Sequence, residues 1–154
     1  MTTRILAPRW AWRGTAVLLT VGLLVAAYMT FEHYTGNRTL ACSATGVVDC
    51  ARVTTSSYSM ILGIPVALAG LGWFLATIAL TGWSFTRLDQ APRTRLLGAW
   101  YGLGLAFVLY LVWVELVPLG RICSWCTVVH VVTLLLFLLN LAEAVLSAEV
   151  DDRS

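Results

Sequence analysis

Cys123–Leu146 reads CSWCTVVHVVTLLLFLLNLAEAVL. Two cysteines three positions apart open a run that is predominantly apolar. A helix needs about 20 apolar residues to cross ~30 Å of hydrocarbon, and this stretch meets that length. Three others do so upstream, from about Thr15 to Phe31, Met60 to Trp83 and Leu96 to Leu119. Strands do not account for them, because an open sheet leaves backbone groups unpaired in lipid. The composition agrees. Hydrophobic residues make up 59% of the 154, charged residues 12%, and the mean hydropathy is +0.83, whereas soluble domains carry about 25% charged residues. The expected fold is an all-α membrane protein, a four-transmembrane-helix bundle.

Arginines set the orientation. All ten basic residues are Arg, and the net charge is only +2. An even number of spans puts both termini on one side, with the short loop between spans two and three. That side holds Arg4, Arg9, Arg13, Arg87, Arg93, Arg95 and Arg153, against Arg38, Arg52 and Arg121 on the other. The positive-inside rule places the termini in the cytoplasm and all four cysteines on the periplasmic or extracellular side of a cell inner or plasma membrane. Trp10, Trp12, Trp83 and Trp100 mark one interface and Trp113 and Trp125 the other, with Trp73 as mid-span packing. Arg4, Arg9 and Arg13 ahead of the first span resemble the start of a signal peptide. Tyr28-Met29-Thr30-Phe31-Glu32 offers no small-residue cleavage site, however, so the span is read as a retained anchor. No basic block supports nucleic-acid binding.

The expected organisation is a cytoplasmic segment over 1–14, a membrane domain over 15–146 and a cytoplasmic tail over 147–154. The outer loop, about 32–59, is long for so compact a chain, and such loops are usually functional or disordered. Val47, Val48, Val53 and Tyr58 suggest one short helix lying on the membrane surface. The connector near Ser84–Arg95 has Pro92 as a breaker, Pro65 falls in the first turn of span two, and only Gly120, Arg121 and Ile122 join spans three and four. Gly98, Gly102 and Gly104 on span three, with Gly63, Ala67, Gly70 and Gly72 on span two, offer sites for close helix approach.

The chemistry lies in the cysteines. Cys123-Ser124-Trp125-Cys126 has the spacing of a redox-active pair. At a helix N-terminus, free N–H groups and the helix dipole favour a thiolate, and Arg121 adds positive charge. Cys42 and Cys50 lie eight apart in the outer loop, which is long enough to swing over the bundle and relay exchanges between a soluble partner and the fixed pair. Asp49 beside Cys50 disfavours a thiolate there, and Arg52 offsets it. Each pair has a plainer reading: a structural disulfide, a static loop staple, or a zinc site, which Cys42-x7-Cys50 fits poorly.

Cys42-x7-Cys50, Ser56 six residues on, Gly63-Ile64-Pro65-Val66 and Cys123-x-x-Cys126 together resemble the vitamin K epoxide reductase family, specifically its bacterial homologues, over about Thr15 to Leu146. The resemblance implies a membrane thiol oxidoreductase that supports disulfide bond formation. Cys42 then looks like the residue that exchanges with the partner, Cys50 like the shuttle that attacks Cys123, and Cys126 like the thiolate released against a quinone. Ser56 matches a family hydroxyl near the quinone site. His130, one turn after Cys126, stands where vertebrate members have a Tyr, and is read as a quinone contact. No counterpart of the vertebrate Asn in the second span is found, which separates quinone reduction from vitamin K epoxide as a substrate. The implied acceptor is a quinone (menaquinone, ubiquinone or vitamin K-type), and no metal is implied. Many bacterial members carry a fused thioredoxin-like domain. The chain stops soon after Leu146, so the expected partner is a separate periplasmic thioredoxin-fold (DsbA-like) protein.

Two other classes compete: a small transporter or channel subunit with incidental disulfides, and a metal-binding membrane protein using four thiolates. The first wants a polar path, yet mid-span positions are almost wholly apolar. Glu115, an acid in the outer part of span three, is a functional suspect by its place, with a proton route to the quinone as its role and an interfacial position as the plainer reading. Glu32 and His33 read as boundary residues.

Overall fold

The computed structural model describes residues 9–42 and 44–152; Arg4 and Arg153, part of the charge asymmetry, lie outside them. Four helices are long and apolar enough to cross a membrane, over Trp10–Thr35, Val66–Arg87, Gln90–Leu119 and Ser124–Glu149. The elements are α1 (Arg9–Thr35), the short α2 (Cys50–Thr54), a two-stranded hairpin of β1 (Met60–Ile61) and β2 (Ile64–Pro65), α3 (Val66–Arg87), α4 (Gln90–Val114) and α5 (Ser124–Asp152). A single wide π-helical turn, Glu115–Leu119, extends α4.

The helices α1 and α5 run past the apolar stretches read from the sequence, and three further differences each have a local reason. The second span starts at Val66, not Met60. Leu62 and Gly63 take left-handed backbone, φ 52° and 82°, which makes the tight turn between β1 and β2 that a two-residue hairpin favours. Pro65 lies just ahead of α3 instead of inside its first turn. The connector between spans two and three is only Leu88 and Asp89, because Pro92 sits in the first turn of α4, where a missing N–H costs nothing. Among the described residues between α1 and β1, only Cys50–Thr54 is α-helical. Val47 and Val48 lie outside it, and Tyr58 belongs to a separate 3₁₀ turn, Ser57–Ser59.

α1 packs along α3 and α5, and α4 along α5, while α3 and α4, although consecutive, pack against each other only sparsely. Leu19, Ala26, Phe74, Leu97, Tyr101, Val132 and Leu136 form the central core. Close approach depends on two glycines: a Cβ at Gly22 would collide with the Phe74 ring, and one at Gly104 with the Trp73 indole. Of the other small residues, Gly98 meets the Asn140 side chain and Gly102 faces Phe137 at van der Waals distance. Gly70 and Gly72 face open space, so they are not close-packing positions. Trp73 stacks on Trp100 (6.2 Å between centroids), whose indole N–H donates to Thr77 Oγ1 at 2.8 Å. Toward the termini the bundle is closed by polar groups. Arg93 pairs with Glu143, Arg93 also lies 4.2 Å over the Phe85 ring, and Asn140 Nδ2 donates to the Thr94 carbonyl at 3.0 Å.

Candidate functional site

Both cysteine pairs meet at the opposite end. Asp49 accepts the Arg52 N–H at 3.0 Å, an N-cap that starts α2 and fixes Cys50 as its first residue. The turn after Leu119 uses Gly120 in left-handed backbone (φ 57°), and α5 starts one residue beyond Cys123. Cys50 and Cys123 are 1% and 0% exposed and share one buried cluster with Val25 and Met29, with Cys42 and Cys126 packed against it. Cys42 and Cys50 are joined in a disulfide, while Cys123 and Cys126 are free thiols.

The outer loop is docked, which differs from the swinging loop read from its length. Ile122 forms a short parallel bridge to it, taking a hydrogen bond from the Asp49 N–H (3.0 Å) and giving one to the Val47 carbonyl (2.9 Å). Arg121 donates to the Gly46 carbonyl at 2.5 Å and the Trp125 indole to the Ala41 carbonyl at 3.1 Å. Tyr28 accepts from the Ala41 N–H (2.8 Å), donates to the Thr39 carbonyl (3.2 Å) and packs edge-on to Trp125. Glu32 is not a boundary residue. It is fully buried and holds the Thr39 N–H and hydroxyl. The residues that flank the Cys-x-x-Cys therefore hold the segment that carries the other pair.

Cys123 lies just ahead of the fourth span. The neighbouring Cys126 thiol is the largest influence holding the Cys123 thiol below the usual range. The backbone N–H groups of Cys126, at 3.3 Å, and Trp125 add to it, while burial and the Glu115 charge oppose it. The backbone N–H contribution is the one expected at a helix N-terminus, but it is secondary to the neighbouring thiol.

Beside Cys126 opens a cavity of about 390 Å³ between the helices, within the range of small-molecule pockets, roughly 300–1,000 Å³. Its wall is mainly apolar, with Met29, Trp73 and Phe107 among the lining, and the polar groups Ser56, Glu115 and His130 reach it. The poor contact between α3 and α4 leaves this space. Ser56 donates its hydroxyl proton to the Val53 carbonyl at 2.8 Å, so its oxygen can still accept. All six residues singled out for chemistry, Cys42, Cys50, Ser56, Cys123, Cys126 and His130, thus lie in the sulfur cluster or the adjoining cavity. A flat conjugated ring with two carbonyl oxygens suits such a wall: a His130 N–H can donate to a quinone oxygen, and Ser56 can accept from the hydroxyl of a quinol. Among the described residues no group of three or more His, Cys, Asp or Glu is placed to hold a metal ion.

The sequence reading gave too little weight to Glu115. It is 5% exposed, and its carboxyl faces the Cys123 N–H and the Cys126 thiol. The wide turn that begins at Glu115, with the Arg121 N–H bonded back to its carbonyl at 2.9 Å, directs it inward. π-turns recur at functional positions. The signals available were an acid in a span and Pro118 three residues on.

Residues 13–141 match the sequence model of the vitamin K epoxide reductase family.

Proposed function

The chain belongs to the vitamin K epoxide reductase family, a multi-pass membrane oxidoreductase that works through cysteines, and on that premise we propose that it relays electrons from a reduced thioredoxin-fold protein to a membrane quinone. The observation that carries the reading is the buried contact cluster of Cys50 and Cys123, flanked by Cys42 on the loop side and by Cys126 on the cavity side.

A thiolate of the partner attacks Cys42, breaking the Cys42–Cys50 bond. Cys50 leaves as a thiolate and attacks Cys123, breaking the Cys123–Cys126 bond and freeing Cys126 beside the cavity. The partner's second thiol resolves the mixed disulfide at Cys42. Cys42 then attacks Cys50, restoring the loop disulfide and freeing Cys123. Each step exchanges one S–S bond for another, so it needs only a thiolate, a leaving thiolate and access. A loop disulfide over a Cys123/Cys126 dithiol, the bonding drawn in the structure, is the form reached before electrons leave. A bound quinone supplies the oxidising power, taking up two electrons and two protons. A His130 N–H would donate to a quinone oxygen, Ser56 would accept from the quinol hydroxyl once it forms, and the apolar wall limits water. The arginine asymmetry supports a cytoplasmic location for the termini and a periplasmic or extracellular one for the sulfurs.

In Cys126→Ala, exchange between partner and loop should continue while quinone reduction falls to background, read by thiol trapping and by quinone absorbance. Quinone reduction at the wild-type rate in that variant would refute the relay.

A further inference from the structure

Three acids are buried, Glu32, Glu115 and Glu143; Glu32 is held by the Thr39 N–H and hydroxyl, and the other two sit at opposite ends of the bundle. Glu143 is neutralised by Arg93, but among the described residues no arginine pairs with Glu115. An unpaired acid inside a membrane span is expensive to keep and marks a functional position by default. Among the described residues, Glu115 is also the sole acidic one that lines the cavity. From that wall it faces the Cys126 thiol and the Cys123 N–H. The other titratable groups around the cavity are Cys126 and His130 on α5, His33 on α1 and Tyr58 in the loop. Closing the Cys123–Cys126 bond releases two thiol protons into this apolar space, where water has little access.

We propose that Glu115 is a catalytic residue that takes the proton from the Cys126 thiol and passes it on toward the quinone oxygen. This inference rests on the relay reading. The balance closes: two S–H bonds break and one S–S bond forms. The two electrons reduce the quinone, and the two protons convert it to quinol, one of them carried through the Glu115 carboxyl. Glu115 then returns to the form in which it started.

The test has two arms. In the first, full-length protein is taken without quinone and cycled between its Cys123/Cys126 dithiol and disulfide forms against a glutathione buffer. The infrared difference spectrum should contain a carboxyl C=O band that disappears in Glu115→Gln. In the second, pre-reduced protein meets a short-chain naphthoquinone or benzoquinone. Glu115→Gln should slow quinol formation by about 10²–10⁴-fold, the usual span for a lost acid–base group, and Glu115→Asp should recover part of the rate. Glutathione exchange at Cys42–Cys50 reports that each variant is folded. No carboxyl band in the wild type, or a Glu115→Gln rate equal to wild type, overturns the proposal. If the wild type itself makes no quinol, the relay reading fails, and the infrared arm still decides whether Glu115 takes the thiol proton.

Discussion

At the end of the bundle that carries the termini, Arg93, Glu143, Thr94 and Asn140 bond to one another between α4 and α5. At the sulfur end, Glu115 and His130 are as buried but face a cavity and a pair of thiols. The same helices make both ends. In the first, polar groups tie the helices together. In the second, α3 and α4 stand apart and polar groups line the gap. Lipid gives no hydrophobic drive for helices to associate, so a bundle that keeps a cavity at one end needs specific contacts elsewhere. Phe74 against Gly22, Trp73 against Gly104 and the Arg93–Glu143 pair supply them.

If that division of labour holds, damage at the terminal end should cost stability and leave chemistry intact. Arg93→Ala strands Glu143 as a buried charge, and breaking such a pair costs about 3–5 kcal/mol. Thermal unfolding in detergent should shift down strongly, while quinone reduction persists below the transition. Gly22→Ala puts a methyl into the space of the Phe74 ring, which is fully buried. Overpacking of this kind costs about 1–3 kcal/mol, and the same unfolding assay should read it as a smaller shift. At the sulfur end the effect should be local. Trp125→Phe removes the indole bond to Ala41, worth about 1 kcal/mol. Hydrogen exchange should accelerate around Ala41 and Cys42 with the bundle's melting unchanged. A uniform change over all four helices would erase the distinction between the ends.

The sequence exposes the bundle because apolar runs of span length have no other solution in lipid. It hides what happens where those runs meet water. Met60-Ile61-Leu62-Gly63-Ile64-Pro65 is as apolar as the helix that follows, so hydropathy joins them. Only the left-handed backbone at Leu62 and Gly63 separates the hairpin. Pro92 reads as a breaker until its place in the first turn of α4 is known. The sulfur chemistry is legible from spacing, since Cys-x-x-Cys and its distant pair are chemical patterns. Docking of the loop is not, because Ile122, Val47 and Asp49 join through backbone atoms that any residue possesses. Glu115 lies between these cases: its presence in a span is a warning, but the wide turn that points it at Cys126 is a matter of geometry.

The central claim is that Cys50 and Cys123, though 73 positions apart by numbering, meet closely enough to exchange. The Cys42→Ser/Cys126→Ser protein retains those two cysteines alone. Mild oxidation in membranes, followed by proteolysis and mass spectrometry, should recover a peptide pair linked through Cys50 and Cys123 in most of the protein, within one monomer. Two thiols that stay free, or link only between separate molecules, would contradict the account.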